Sequence, residues 1–108
     1  MARKSIPLSL AALCVALWPS AGGAADPPPS PQAIAIGAHY IAKQMCSCLF
    51  VAGRSEASCR TEFKPAIDNF AATLDRHRLP DAAKVTARAP GVTGEATYDR
   101  RYGCVVSN

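Results

Sequence analysis

Lys84-Val85-Thr86-Ala87-Arg88-Ala89-Pro90-Gly91-Val92-Thr93-Gly94-Glu95-Ala96-Thr97-Tyr98-Asp99 is the stretch that decides the fold class. Residues 84–89 alternate, with Val85 and Ala87 on one face and Thr86 and Arg88 on the other, the period of a half-buried strand. Pro90-Gly91-Val92-Thr93-Gly94 is a loop of hairpin length, and residues 95–99 return as the partner strand. Residues 100–103 turn into a last apolar segment, Cys104-Val105-Val106. The C-terminal half is therefore predicted to be a small antiparallel sheet.

Upstream the periodicity is helical. Ser30-Pro31 reads as an N-cap followed by proline at the first helical position. Ile34, Ala38, Ile41 and Met45 then form one apolar stripe, which can continue through Cys48 and Leu49. Gln32, His39 and Lys43 fall off that stripe, so His39 is expected to be an exposed helix residue. Leu49-Phe50-Val51-Ala52 reads as a short buried run ended by Gly53. Ser55 is a second N-cap, with Glu56 near the positive helix end, and Pro65 stops that helix after Cys59 and Phe63 at i, i+4. Residues 67–74 suit either a strand or a last helical turn, and 76–83 a polar connection. Helices first and antiparallel strands after make an α+β domain over residues 32–108.

Ahead of that domain, residues 1–25 have the layout of a signal peptide: Arg3 and Lys4, an apolar run over residues 6–18, then Ala21-Gly22-Gly23-Ala24-Ala25. Cleavage after Ala24 or Ala25 satisfies the small-residue rule. A membrane anchor needs about 20 apolar residues, more than this run supplies, and no stable membrane insertion is expected after cleavage. A lipoprotein signal at Cys14 would place bulky Leu13 where a small residue is required. Residues 26–31, with four prolines, form an extended leader. Of the 12 Lys+Arg, 10 remain after Ala25 against all 8 Asp+Glu, a net charge of +2 on a dispersed pattern. No concentrated basic face with stacking aromatics is visible, so nucleic acid is not an expected partner. The expected location is the periplasm or the extracellular medium.

Four cysteines follow the signal segment: Cys46, Cys48, Cys59 and Cys104. An even count in a short exported chain implies two disulfides, and a domain of this size needs them because its core alone offsets little chain entropy. Cys46 and Cys48 are too close to bridge without strain. Cys46–Cys104 with Cys48–Cys59, and Cys46–Cys59 with Cys48–Cys104, both remain open. Other uses of the same residues are a metal site with His39 or His77, a redox-active Cys46-Ser47-Cys48, and a cysteine nucleophile served by a histidine. The single close pair, with one residue between its cysteines, departs from zinc-site spacing. No metal or other cofactor is implied.

Cys46-Ser47-Cys48-Leu49-Phe50-Val51-Ala52-Gly53-Arg54 resembles the C-S-x-x-F-V-x-G-R segment near the N-terminus of class C β-lactamase-like and 6-aminohexanoate-dimer-hydrolase-like serine hydrolases. Val85-Thr86-Ala87 and the Tyr98-Asp99-Arg100-Arg101-Tyr102-Gly103-Cys104 segment resemble, in the same order, the V-T-A strand and the Y-x-x-G-x-G-C segment of those enzymes. The likeness spans residues 33–106. It implies the Cys46–Cys104 bridge, which leaves Cys48–Cys59 as a second one. It does not carry catalysis with it, because the acyl chemistry of these hydrolases sits in a larger domain that follows this region. None of the serines here has a lysine three residues later, and neither Lys-Thr-Gly nor Gly-x-Ser-x-Gly occurs. No catalytic residue is therefore assigned.

The function expected on these grounds is an exported, non-catalytic accessory or binding module whose partner is an envelope protein or a small ligand. Arg54, Tyr98, Arg101 and Tyr102 are the candidate interaction surface. The alternatives are an amidase-type hydrolase, suggested by kinship, and a thiol redox or metal protein using Cys46 and Cys48.

Overall fold

A computed structural model describes residues 27–107. The segment expected to be a signal peptide, residues 1–25, and its expected cleavage sites lie outside the described residues.

Helix α1, Pro31–Cys46, begins where Ser30 accepts a hydrogen bond from the Ala33 N–H at 3.1 Å, with proline in the first turn. It runs on into a π-helical segment, Ser47–Val51, closed by the Ala52 N–H donating to the Ser47 carbonyl at 2.9 Å. Gly53, at φ 70°, then ends the helix, and the Arg54 N–H bonds back to the Cys48 carbonyl at 3.1 Å. That is the left-handed stop a glycine permits without a steric penalty. Helix α2, Glu56–Glu62, starts on Ser55, whose hydroxyl accepts from the Ser58 N–H. A 3₁₀ turn, Ala66–Asn69, leads into the sheet.

The sheet is a four-stranded antiparallel meander in the order β1 (Ala71–Asp75), β2 (Ala82–Ala89), β3 (Val92–Asp99) and β4 (Gly103–Ser107). Helix α1 packs on one face of it, in a two-layer α+β architecture. Ala89 pairs with Val92, so the β2–β3 turn is only Pro90-Gly91, with Gly91 at φ 74°. The five-residue loop expected at residues 90–94 is corrected accordingly: Val92, Thr93 and Gly94 belong to β3. Residues 67–74 divide between the 3₁₀ turn and β1, and the polar connection ends before Ala82, which opens β2.

Strand register puts Ala72, Ala87 and Gly94 in one row under the helix and Leu74, Val85, Ala96 and Val106 in the next. Opposite them Ala38, Ile41, Ala42 and Met45 are buried. Small residues on both layers let the backbones approach closely. A Cβ added at Gly94 would stand 2.7 Å from the Ala38 carbonyl oxygen and closer still to the Ala38 carbonyl carbon, so only glycine fits this crossing. The descent of the helix onto Gly94 also corrects the expectation for His39, which is half-buried, with Nδ1 enclosed and without a hydrogen-bond partner. Continuous through Val51, the helix is long and apolar enough to cross a bilayer, but here its apolar stripe is spent on the sheet.

Candidate functional site: the disulfide-stapled end

On a helix, residues two apart point to nearly opposite sides. Cys46 and Cys48 flank Ser47 at the end of α1 and so reach in different directions. Cys46 bridges to Cys104 on β4, and Cys48 to Cys59 on α2, with Cα–Cα separations of 6.0 and 5.9 Å. The bridges close separations of 58 and 11 residues. On the chain-entropy account they contribute about 4 and about 3 kcal/mol respectively. Cys46 and Cys59 are fully enclosed and Cys48 nearly so. Among the described residues no cluster of His, Cys, Asp and Glu has the arrangement of a metal site.

Arg54 lies in the loop between the π segment and α2. Its guanidinium forms an ion pair with Glu62, and its Nε and Nη2 donate to the Ser58 hydroxyl at 3.2 and 2.6 Å. The Glu62 carboxylate stands 4.0 Å from the Cys48 sulfur. Arg54 therefore clasps the outside of the short disulfide loop. Such half-exposed pairs add at most about 1 kcal/mol.

Tyr98 lies on the helix-facing side of β3, opposite Cys104, and its ring stacks on Phe50 with centroids 5.5 Å apart. That pair covers the long disulfide from the side. The short buried run expected at residues 49–52 shrinks to Leu49 and half-buried Phe50, while Val51 and Ala52 face solvent. The buried run stops there because Val51 and Ala52 end the π segment, where the chain turns away at Gly53.

Arg101 and Tyr102 occupy the β3–β4 turn. The Asp99 carboxylate accepts from the Arg101 N–H at 2.7 Å, the Tyr102 N–H bonds to the Asp99 carbonyl at 3.2 Å, and Gly103 takes φ 80°. A tight turn followed by a left-handed glycine leaves the side chains between them pointing outward. Tyr102 is 76% exposed.

Of the four surface candidates, Arg54 and Tyr98 thus serve local structure, while Arg101 and Tyr102 project from an exposed turn. Two apolar residues beside that turn join them: Val51, 61% exposed and next to Gly103, and Val105, 57% exposed on β4. Alternation across Cys104-Val105-Val106 was the available signal for Val105, since it faces away from its two neighbours.

An apolar groove of about 450 Å³ runs beside the first half of α1, with Ile34, Gly37, Tyr40, Phe70 and Pro90 in its walls. A second hollow of about 230 Å³, on the outer sheet face, is lined by Asp75, Arg78, Ala82, Ala83, Lys84 and Thr97 and lies at the same end of the sheet as Cys104. His77 follows β1 at its Asp75 end, the end of the sheet where Cys104 lies, and donates its backbone N–H to the Asp75 carboxylate at 3.1 Å. Compared with known proteins, the chain matches no family model, no curated protein and no solved structure.

Proposed function

We propose that this chain is an exported accessory or binding module of the cell envelope, related to the N-terminal region of the β-lactamase-like serine hydrolases and acting without chemistry of its own. The use of its cysteines is the observation that supports this. All four that follow the signal segment join the end of α1 to β4 and to α2. A small domain outside the reducing cytoplasm needs that scaffold, and it holds Arg101 and Tyr102 on a rigid base. The partner is an envelope protein or a small ligand that meets this turn. The polar outer face of the sheet and the net positive charge keep the module itself soluble.

Intact mass of the protein recovered from the envelope, alkylated with and without prior reduction, tests the first half of the proposal. The expected result is a chain starting at Ala25 or Asp26 that takes up no label until reduction and four labels after it. Free thiols in the native protein would replace the module with a thiol-based function. A photoreactive residue at position 102, compared with one at position 73 on β1, tests the second half. Cross-linking from position 102 to a defined envelope component is expected. Turnover of amide or ester substrates by the purified protein, lost on Ser47→Ala, would establish the hydrolase alternative instead.

A further inference from the structure

Antiparallel pairing turns the backbone groups of successive residues alternately toward and away from a neighbouring strand. The two-residue β2–β3 turn sets the phase. With Ala89 and Val92 as the closing pair, Val92, Gly94, Ala96 and Tyr98 bond to β2, and Thr93, Glu95, Thr97 and Asp99 bond to β4. Their partners on β4 are Gly103, Val105 and Ser107, so Cys104 and Val106 turn their N–H and C=O groups toward the open edge. The same phase on the other side turns Ala72 of β1 outward. There the prediction can be checked, because the Ala72 carbonyl accepts a hydrogen bond from Arg60 Nη2 at 3.0 Å.

The two edges are guarded unequally. Beside β1, Glu56, Arg60 and Arg76 line the groove along residues 72–74, and charge of this kind opposes the docking of another strand. On β4, residues 103–107 contain no charge and no proline. Among the described residues nothing hydrogen-bonds to the outward groups of Cys104 and Val106. Val105 stands exposed between them.

We propose that β4 pairs with β4 of a second copy of this chain, antiparallel about a two-fold axis at Val105. The register follows from the phase. Cys104 of one copy meets Val106 of the other in two symmetry-related hydrogen-bonded pairs, so every outward group on both strands finds a partner. Val105 then faces Val105 as the non-bonded pair, where side chains come closest, and the cross-strand contact of two β-branched residues is favourable. Charge does not oppose this register. The Arg100-Arg101 turns fall at opposite ends of the paired strands, and each approaches the end of the other copy where Glu95 pairs with Ser107. An isologous contact of this kind closes on itself instead of propagating. The product is one continuous eight-stranded sheet, twice the four strands of a single copy. Both α1 helices lie on one side of it and both polar faces on the other. The inference goes beyond the binding-module proposal, which a monomeric chain would leave standing.

The test uses the exported chain with both native disulfides formed. Sedimentation equilibrium over a wide concentration range is expected to show reversible dimerisation of the wild type. Val105→Lys, which sets two like charges against each other across the axis, should weaken it roughly tenfold or more while the protein keeps its thermal midpoint. In a second variant, Val105→Cys, mild oxidation should join two chains through residue 105, with the native bridges intact on peptide mapping. Thr73→Cys on β1 should not cross-link. A wild type that stays monomeric at all concentrations would overturn the proposal. So would a dimer that Val105→Lys leaves unchanged, or one in which Val105→Cys chains do not join. Should the Lys variant fail to fold, the Cys cross-link alone decides.

Discussion

At β1 the outward carbonyl of Ala72 is met by Arg60, which Glu56 holds at 2.8 Å, and Glu56 is in turn shared with Arg76 at 3.4 Å. At β4 no side chain among the described residues caps the outward groups, and the strand is fastened by a covalent bridge from Cys104 to the end of α1. One edge is finished by charge, the other by a staple. A strand held by side chains must be surrounded by them, and so it is closed to other strands. A strand held by one bond beneath the sheet keeps its edge free. In a domain with so few large side chains, the bridge replaces the packing that would otherwise cover β4.

The comparison breaks most visibly if the staple is removed. Replacing both Cys46 and Cys104 by Ser should lower stability by about 4 kcal/mol. Amide exchange should accelerate first at residues 103–107, before β1 is affected. The matching change at Cys48 and Cys59 should cost about 3 kcal/mol, with the exchange confined to α2 and its loop. Equal loss of protection at both edges in the first variant would show that β4 does not depend on its bridge in this way.

A smaller effect is expected midway between the edges. Gly94→Ala places a methyl group against the backbone of Ala38 and should cost about 1–3 kcal/mol in a denaturant titration. Both edges should weaken together, because the helix is lifted from the whole sheet.

Arg60→Ala sharpens the contrast from the β1 side. Loss of the bond to Ala72 should cost about 1 kcal/mol. It should also open that edge, with concentration-dependent association appearing in light scattering even when Val105→Lys is present. Smallest of all, His39→Leu should leave both edges alone. Removing an enclosed, unpartnered ring nitrogen should raise stability by about 1 kcal/mol or less in a thermal melt. A marked loss of stability would mean that the ring nitrogen has a partner in solution.

Much of this architecture is legible in local chemistry. Ser30 and Ser55 cap their helices as their positions before apolar runs imply. The stripe from Ala38 to Met45 is buried, and residues 84–89 and 95–99 pair as strands. Missed were the features that depend on what lies opposite. Val92, Thr93 and Gly94 resemble turn residues singly, so the hairpin loop looks longer in the sequence than it is, while the register recruits them to β3. Of the candidate surface, the exposed turn at Arg101 and Tyr102 was readable from its polar and aromatic character. Arg54 and Tyr98 looked equally available, and only their contacts with Glu62 and Phe50 show them engaged.

By itself, the sequence determined where helices start, which segments alternate as strands, and that four cysteines must be used to hold a small domain together. Each of these depends on neighbours a few residues apart, and capping, periodicity and chain entropy act at that range. Tertiary structure decided that His39 is enclosed, that Val51 is not, and that Gly94 is where helix and sheet meet. It also closed one edge and left the other open. These outcomes join residues far apart in the chain, Ala38 with Gly94 and Arg60 with Ala72, and the physical cause is the packing of two layers that no local pattern encodes.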